Sequence, residues 1–435
     1  MGTFWTVFPK IKVFISTLYL SVLRIFSMKT QSRIVVKKFG GTSVGSIERI
    51  EAVAERVCED AKTGQSPIVV ASAMSGETNR LVRLASEINP YYRGPAYDML
   101  LASGEQVSIS LLAMAMEKRG FKAKPLLAYQ LGIETDSIFS KARIKSVNSE
   151  KLKSYIDEGF IPIVAGFQGV TGDDITTLGR GGSDTTAVAL AAAIGSNECE
   201  IFTDVPKVFT ADPRLVKKAR ELDYLSFEEM MEMASLGSKV LHYRSVELAA
   251  KFGVKIHLRS TFEKREGTWV VPEGEVMENP VVSSVTHDAN TAVIKLFPIK
   301  EKGQKFITEL FTELAEKNVV VDIITQSQNE IGQRLAFSVT EEDLANAEVI
   351  TKKLMPEGCE IFIMRDLAKI STVGVGMKNH PGVAARFFKV FSEADIPIHL
   401  VTTSEIKISA VIDKNKLEEA ASALHSEFTL DKDEE

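Results

Sequence analysis

Short apolar runs alternate with longer stretches of helical spacing from Ile34 to about residue 262. Ile34–Val36 and Ile68–Ala71 are unbroken apolar runs, which predicts buried parallel strands. Between them, SIERIEAVAERVCEDAKTG repeats Ile47, Ile50, Val53, Ala54 and Val57 at helical intervals and ends near Gly64, so the three segments predict a βαβ unit. GEQVSISLLAMAMEKRG predicts an amphipathic helix stopped by Gly120, with Glu105 at its start just after Gly104. FIPIVAGFQG predicts a strand entering a glycine turn, DTTAVALAAAIG a small-residue helix and ECEIFTDV a further strand. SFEEMMEMASLGSKVL opens with Ser226 and Glu229 in capping-box spacing. Strands alternating with helices in this way predict a mostly parallel α/β sheet.

The pattern changes after PEGEVMENP. From AVIKLFPIK to ITKKLM the order reads strand, helix, strand, strand, helix, and AKISTVGVG to LHSEF repeats it at a period of about 75–80 residues. VVVDIITQS in the first copy answers IPIHLVTTS in the second. The inference is two βαββαβ-like units in tandem. Such small α+β units commonly join sheets edge to edge, so a homo-oligomer, a dimer or larger, is expected.

Composition narrows the classes. A chain of 435 residues holds two to four domains, and 45% hydrophobic with 25% charged residues is ordinary for a soluble protein. Net charge is −6 with no basic block, so nothing favours a nucleic-acid partner. Cys58, Cys199 and Cys359 are widely separated and odd in number, which fits a reducing, cytoplasmic setting. The six histidines lack metal-ligand spacing, so no resident metal site is expected. Residues 1–29 differ from the rest: aromatic, β-branched and basic, without an acid before Met28, and with an apolar run, Val13–Leu23, too short to span a bilayer comfortably. The reading preferred is an upstream start assigned in error, with a targeting peptide or membrane anchor as the alternative.

Candidate chemistry gathers at predicted strand ends. IVVKKFGGTSVGS follows Lys38 with Gly40 and Gly41; taken alone it fits an ordinary tight turn as well as a phosphate loop. TTLGRGGSDTTAVALAAA sets Arg180 among Gly179, Gly181 and Gly182, with Ser183 and Asp184 expected to cap the next helix. Glycine N–H groups and a helix start suit an anion, whereas Asp184 then needs a cation beside it. IFTDVPKVFTADPR ends a strand at Thr203 and Asp204, where ligands of α/β sheets bind; Asp204 would hold a nucleotide and Arg214 its phosphates, or the stretch is a loop of turn formers. Thr78 stands near a helix start after ASAMSGE, and Lys239 in GSKVLH is by itself an ordinary solvated charge.

In combination, KFGGTSVG, SAMSGETN, SGEQVS, GFQGVT, TTLGRGGSDTTAVALAAA, TDVPKVFTADPR, SFEEMMEMASLGSKVLH and LRSTF stand in an order that resembles the aspartokinases of the amino-acid kinase family, from Ile34 to about Leu430. GVGMKNHPGVAARFF and TTSEIKISAVI resemble that family's ACT regulatory domains. The resemblance implies an αβα sandwich kinase domain over residues 30–280, then two ferredoxin-like ACT domains over 285–365 and 366–435. It implies phosphorylation of L-aspartate by ATP with Mg²⁺. Lys38, with Gly40 and Gly41, would meet the transferring phosphoryl group. Thr78, Glu105 and Arg180 would hold aspartate, Glu105 facing its ammonium and Arg180 a carboxylate. Ser183 and Asp184 would organise the phosphoryl site. Thr203, Asp204, Phe209, Arg214 and Lys239 would form the nucleotide pocket. Lys37 does not match the family's lysine and is expected to be structural.

The chemistry agrees with that assignment. The nucleophile would be a carboxylate already ionised at neutral pH, with a pKa near ~4, so no general base is required. Two anionic substrates demand charge cancellation and alignment instead. The competing readings are a relative acting on another acidic group, such as glutamate, acetylglutamate or UMP, and a catalytically silent sensor. The tandem ACT pattern weighs against the first; Lys38, Asp184 and Arg180 together weigh against the second.

Two departures from the family stand out. Lys207 and Phe209 occupy places usually held by glycine and tyrosine, and Lys207 disfavours a type II turn after Pro206. PIKEKGQ replaces the Asp-x-Pro-Gly turn of lysine-sensitive relatives, leaving Gly303 and putting Lys300 where an acid would face an effector's ammonium. Lysine is therefore expected to act weakly through the first ACT domain. Gln326 with Thr403, Ser404 and Glu405 is the candidate effector site for lysine or threonine.

Overall fold

The computed structural model describes residues 33–236, 240–276, 280–300 and 303–432. The N-terminal extension and Lys239 lie outside the described residues. The main sheet is built from β1 (Ile34–Phe39), β2 (Ser66–Ala71), β3 (Ala123–Leu126), β4 (Ile161–Ala165), β5 (Glu198–Thr203), β6 (Tyr224–Ser226), β7 (Lys255–Ser260) and β8 (Thr268–Val271). Their order is β6-β8-β7-β5-β1-β2-β4-β3, and every pairing is parallel except β7 with β8. The helices that matter are α1 (Ile47–Lys62), α2 (Glu77–Ile88), α3 (Pro95–Glu117), α4 (Gly182–Ile194), α5 (Phe227–Ser235) and α6 (Tyr243–Phe252).

The apolar strands bury both faces. Val53 and Val57 of α1 with Leu112 and Met116 of α3 pack on Phe39 and Val69. Val188 of α4, Met230 of α5 and Val246 of α6 pack on the other face, against Val36 and Val70. The expected αβα sandwich results. Because successive side chains leave a strand on opposite faces, the adjacent lysines of β1 part company. Lys37 goes to the α1 side, 1% exposed, with Nζ 2.5 Å from Glu200 Oε2 and 2.9 Å from Asp60 Oδ2. Burial pushes the Glu200 carboxyl up, but Lys37 and Arg259 together hold it below the usual range. Lys37 is thus a structural cation, as expected.

Several local expectations are corrected. Ile47 is 53% exposed, because it is the first helical residue after the Ser46 cap and the buried stripe starts at Ile50. Glu105 lies inside a helix rather than at its start, since α3 already begins at Pro95 behind Gly94. Gly104 is there for close approach: a Cβ on it would lie 2.9 Å from the Ala73 Cβ. Ser183 and Asp184 do not cap α4; Gly181, at φ 68°, is the N-cap, and both residues sit in the first turn. The Ser226–Glu229 capping box is present, with both reciprocal bonds at 3.1 Å. A small four-stranded sheet, formed by Glu134–Thr135, Ile144–Ser146, Gln168–Thr171 and Asp174–Thr177, packs through its last strand on α3.

The tandem repeat appears as β9 (Ser284–Ile299), α7 (Gly303–Glu316), β10 (Ile324–Asn329), β11 (Gly332–Val339), α8 (Leu344–Leu354), β12 (Glu360–Val373), α9 (Val383–Glu393), β13 (Leu400–Thr403), β14 (Lys407–Asp413) and α10 (Leu417–Glu427). The two units share one antiparallel sheet in the order β10-β11-β9-β12-β14-β13, because β9 and β12 run through both. Val282 and Val285, which precede the first unit's core, pack with Ile370, Phe387 and Leu424 of the second. That second core also takes in Ala211 and Val216 from the segment following β5. Thr210 Oγ1 lies 2.9 Å from His425 Nε2, and Lys407 pairs with Glu232 at 2.8 Å.

Lys37→Met leaves Glu200 with Arg259 alone inside the sandwich. The expected cost is about 3 kcal/mol, the low end for breaking a buried pair, read as a lower urea midpoint. A loss below about 1 kcal/mol would show that Arg259 alone suffices.

Candidate active site

Beside β1 and β2, the chain turns through Gly40–Gly41 and Ser72–Gly76 and opens a cavity of about 1050 Å³. Its lining includes Lys38, Gly41, Thr78, Glu105, Arg180, Ser183 and Asp184. Seven residues singled out from distant parts of the sequence therefore converge. A larger cleft of about 1640 Å³ lies by the β6–β8 edge and the end of α10, and no predicted site residue lines it. The strand-end position on both sides of β1, flanked by β2 and β5, is where open α/β sheets take ligands.

Lys38 shares the α4 side of the sheet with Val36. Its Nζ is 2.6 Å from Asp184 Oδ1, and the two residues are 9% and 8% exposed. The acid has the cation its position demanded. Gly40 keeps the space beside Lys38 open, since a Cβ there would sit 3.4 Å from Nζ. Gly41 can only be glycine in this loop, because a Cβ would meet the Ala73 carbonyl at 2.9 Å. Helices α2 and α4 both start at the cavity from left-handed glycines, Gly76 and Gly181, without side-chain caps. Their first-turn N–H groups and dipoles favour anions there. Thr78 stands in that first turn of α2.

Glu105 is 2% exposed on α3. Its Oε1 accepts the Ala73 N–H at 3.0 Å, whereas Oε2 is buried with no hydrogen-bond partner among the described residues. Burial pushes its carboxyl up to about 8, with the Ala73 N–H pulling the other way. Arg180 is exposed and makes no ion pair among the described residues. The cavity thus offers an under-satisfied acid, a free guanidinium and a buried lysine–aspartate pair.

The expected nucleotide residues lie elsewhere. Thr203 ends β5, with Oγ1 3.1 Å from Asp204 Oδ1. Phe209 belongs to the short strand Val208–Phe209, paired with Glu221–Leu222. Arg214 is exposed and tied to Asp212 at 2.6 Å. None of these lines the cavity; Thr203 extends the strand next to β1, and Arg214 is engaged by its own neighbour instead of a free phosphate ligand. Lys207 pairs with Glu221 and Asp223. On the regulatory side, Gln326 lies on edge strand β10, whereas Thr403 closes β13 at the opposite edge, with Ser404 and Glu405 just beyond. Five strand spacings, roughly 24 Å, separate them, so one chain does not bring them into a common site. Lys300 is exposed between β9 and α7.

Among the cavity residues that sequence reasoning missed are His242 and Arg244. The His242 ring fills the place where a Gly181 Cβ would fall, 2.1 Å from the His242 Cβ, and burial pushes its imidazole down. Arg244 donates to the Leu178 carbonyl at 2.5 Å and the Ala142 carbonyl at 2.9 Å, holding the cavity wall. Arg244 is defined by backbone from distant segments; His242 also has a local role as the N-cap of α6, its Nδ1 accepting the Arg244 N–H at 3.4 Å.

Comparison with known proteins adds names to this geometry. Residues 33–260 match the amino acid kinase family, and residues 370–428 match an ACT domain. An aspartokinase of Geobacillus stearothermophilus is 45% identical over 399 residues, which cover 91% of this chain and 97% of that one. Two solved structures of aspartokinase III from E. coli, each 26% identical, align over 91% of this chain and 99% of theirs. The complex with aspartate and ADP superposes with a TM-score of 0.76, and the complex with lysine and aspartate with 0.73.

A carboxyl raised by folding stabilises the protein fully in acid, below its ordinary 4.5, and that contribution is lost as pH rises through about 8. Glu105→Gln is therefore expected to match the wild type in stability near pH 4 and exceed it at pH 9. Urea midpoints at both pH values check this, and an equal difference at both would refute it.

Proposed function

Since the chain belongs to the aspartokinases of the amino acid kinase family, we propose that it transfers the γ-phosphoryl group of ATP to the side-chain carboxylate of L-aspartate. The products are 4-phospho-L-aspartate and ADP. The observation that carries this is one cavity joining Glu105, with an unpaired oxygen, to Arg180, with no partner, and to the Lys38–Asp184 pair. Glu105 takes the ammonium, which also favours the charged carboxylate that burial opposes. Arg180 takes the α-carboxylate in its planar fork. Thr78 and Ser183 supply hydroxyls to the same ligand. The side-chain carboxylate then faces Lys38, already ionised and needing no base.

Lys38 neutralises the phosphoryl group in flight, while Asp184 fixes the ammonium's position and Gly40 and Gly41 admit the phosphate closely. The starts of α2 and α4 add oriented positive potential. The nucleotide lies toward Thr203, Asp204, Phe209, Arg214 and Lys239, and Arg214 must exchange Asp212 for phosphate to take part. Mg²⁺ would accompany ATP and would screen the charge of its phosphates. The reaction would open the route to lysine, threonine, methionine and diaminopimelate, in the cytoplasm, where three buried free cysteines are at home. A homo-oligomer joining the β10 edge of one copy to the β13 edge of another would bring Gln326 to Thr403.

Lys38→Ala or Asp184→Ala is expected to lower kcat on the order of a hundredfold in a folded protein, the usual loss for one electrostatic ligand. Arg180→Ala should raise KM for aspartate more than KM for ATP. Steady-state assays decide; equal effects on both KM values would move Arg180 to the phosphate side.

E. coli aspartokinase III has been solved with lysine bound; in this chain lysine should bind only weakly through the first ACT unit. The reason is Lys300, a like charge beside the effector's ammonium. Exposure reduces the repulsion, but even about 1 kcal/mol is about fivefold in affinity. Titration calorimetry with lysine should show tighter binding to Lys300→Asp. Tight binding to the wild type, unchanged by Lys300→Asp, would place the effector elsewhere.

A further inference from the structure

We propose that Asp98 is a positioning residue for substrate binding, holding in place the cavity wall formed by Ser140, Thr177 and Leu178. This rests on the reading of the cavity as the aspartate site. Asp98 does not line the cavity; it is fully buried on α3, at 0% exposure, two helical turns before Glu105. At 1.5 Å per residue that is about 10.5 Å along one helical face. One rigid helix therefore carries both the acid assigned to the ammonium and a second acid that never meets the ligand.

Every bond recorded for that carboxylate goes to the wall. The Ser140 N–H donates to Oδ2 at 2.9 Å and Oδ1 at 3.1 Å, and the Ser140 hydroxyl donates to Oδ1 at 3.2 Å. The Thr177 N–H donates to Oδ2 at 2.6 Å. Ser140 and Thr177 belong to segments 37 positions apart in the numbering, and both line the cavity. Ser140 holds φ at 68°, a left-handed conformation that a non-glycine residue keeps only where its surroundings impose it. Asp98 imposes it by drawing the N–H and the hydroxyl of Ser140 into one carboxylate. From the far side Arg244 binds the Leu178 and Ala142 carbonyls, so donors and acceptors of the wall are both fixed. No cation pairs with Asp98 among the described residues; its charge is met by these neutral donors alone.

The wall depends on both oxygens of this carboxylate. Asp98→Asn turns one of them into an NH₂ group, but an oxygen left at the Oδ2 position still accepts the Ser140 and Thr177 N–H groups, so the amide costs only the longer contacts. Asp98→Ala removes both acceptors, strands the two N–H groups and lets the wall relax away from the ligand. Misplacement of that order weakens ligand positioning.

The test is steady-state kinetics on Asp98→Ala and Asp98→Asn, with Arg180→Ala alongside, and amide hydrogen exchange by mass spectrometry. Asp98→Ala is expected to raise KM for aspartate about tenfold, with KM for ATP within about twofold, and Asp98→Asn, which keeps one acceptor, to raise it less. Exchange in Asp98→Ala should quicken in peptides covering Ser140 and Thr177, and not in those covering β1. An aspartate KM within about twofold of wild type in folded Asp98→Ala, while Arg180→Ala still raises it, overturns the positioning role and leaves the cavity assignment standing. An aspartate KM untouched by Arg180→Ala overturns the assignment itself. Should Asp98→Ala fail to fold, exchange in the wild type decides. Slow exchange at both segments, slowed further by aspartate, supports the proposal; exchange at the rate of free loops overturns it.

Discussion

The burial of two adjacent lysines on opposite faces of β1 is the constraint from which the rest of the kinase half follows. An ammonium taken out of water must be paired or give up its charge. Lys37 is met by Glu200 from β5 and Asp60 from α1; Lys38 is met by Asp184 from α4. Those pairings tie a neighbouring strand and one helix from each layer to the same two residues. What separates the two lysines is what else surrounds them. Lys37 is enclosed by carboxylates and by Phe202, whereas Lys38 has one carboxylate and an open cavity. A cation so placed can meet an incoming anion without first breaking a network.

The same logic runs through α3. A helix interior is an expensive place for two acids, and each is accommodated differently. Asp98 gathers neutral donors and becomes part of the frame. Glu105 receives one N–H and keeps one oxygen bare, so its charge is disfavoured until something cationic arrives. Strain of this kind is tolerated where a ligand relieves it. Its location seven residues from Asp98 on one helix means that the bare carboxylate oxygen and the wall's anchor cannot shift independently.

Much of this was legible in the chain. The βαβ start, the small-residue helix, the capping box and the tandem regulatory repeat follow from periodicity and turn chemistry; the seven cavity residues stood out at glycine turns and helix starts, and in combination through the family resemblance. The failures have one physical origin: a residue type was read for its local meaning when a tertiary contact had claimed it. Gly104 read as a helix boundary, yet it exists to let α3 approach Ala73. Ser183 and Asp184 read as caps, although Gly181 does that work because His242 leaves room for no side chain there. Asp98 and Arg244 carry no local signature, since what they hold lies dozens of residues away or more, and His242 carries only that of a helix cap. Gln326 and Thr403 looked equivalent in the repeat, and only strand order shows that they stand at opposite edges.

That strand order also bears on how the two halves communicate. β9 and β12 run through both regulatory units, so a change of twist in one is a change in the other. The second unit's core does not end at its own boundary; Ala211 and Val216 are packed into it, and Thr210 is bonded to His425 of α10. Those residues fall between Phe209 and the end of the segment that follows β5, the strand beside Lys38. A close-packed core does not deform continuously. Any repacking of α10 against the shared sheet must therefore carry Thr210 with it, and with Thr210 the loop assigned to the nucleotide. The wall of the cavity beside Lys38 is bonded by Asp98 and Arg244, both from the kinase half. The regulatory half bonds instead to α5 and its end, through Val375 on Glu229, Lys407 on Glu232 and Thr286 on the Leu236 carbonyl. The architecture thus gives the regulatory half a direct mechanical hold on the segment that follows β5 and on α5, which precedes His242 and Arg244 in the chain.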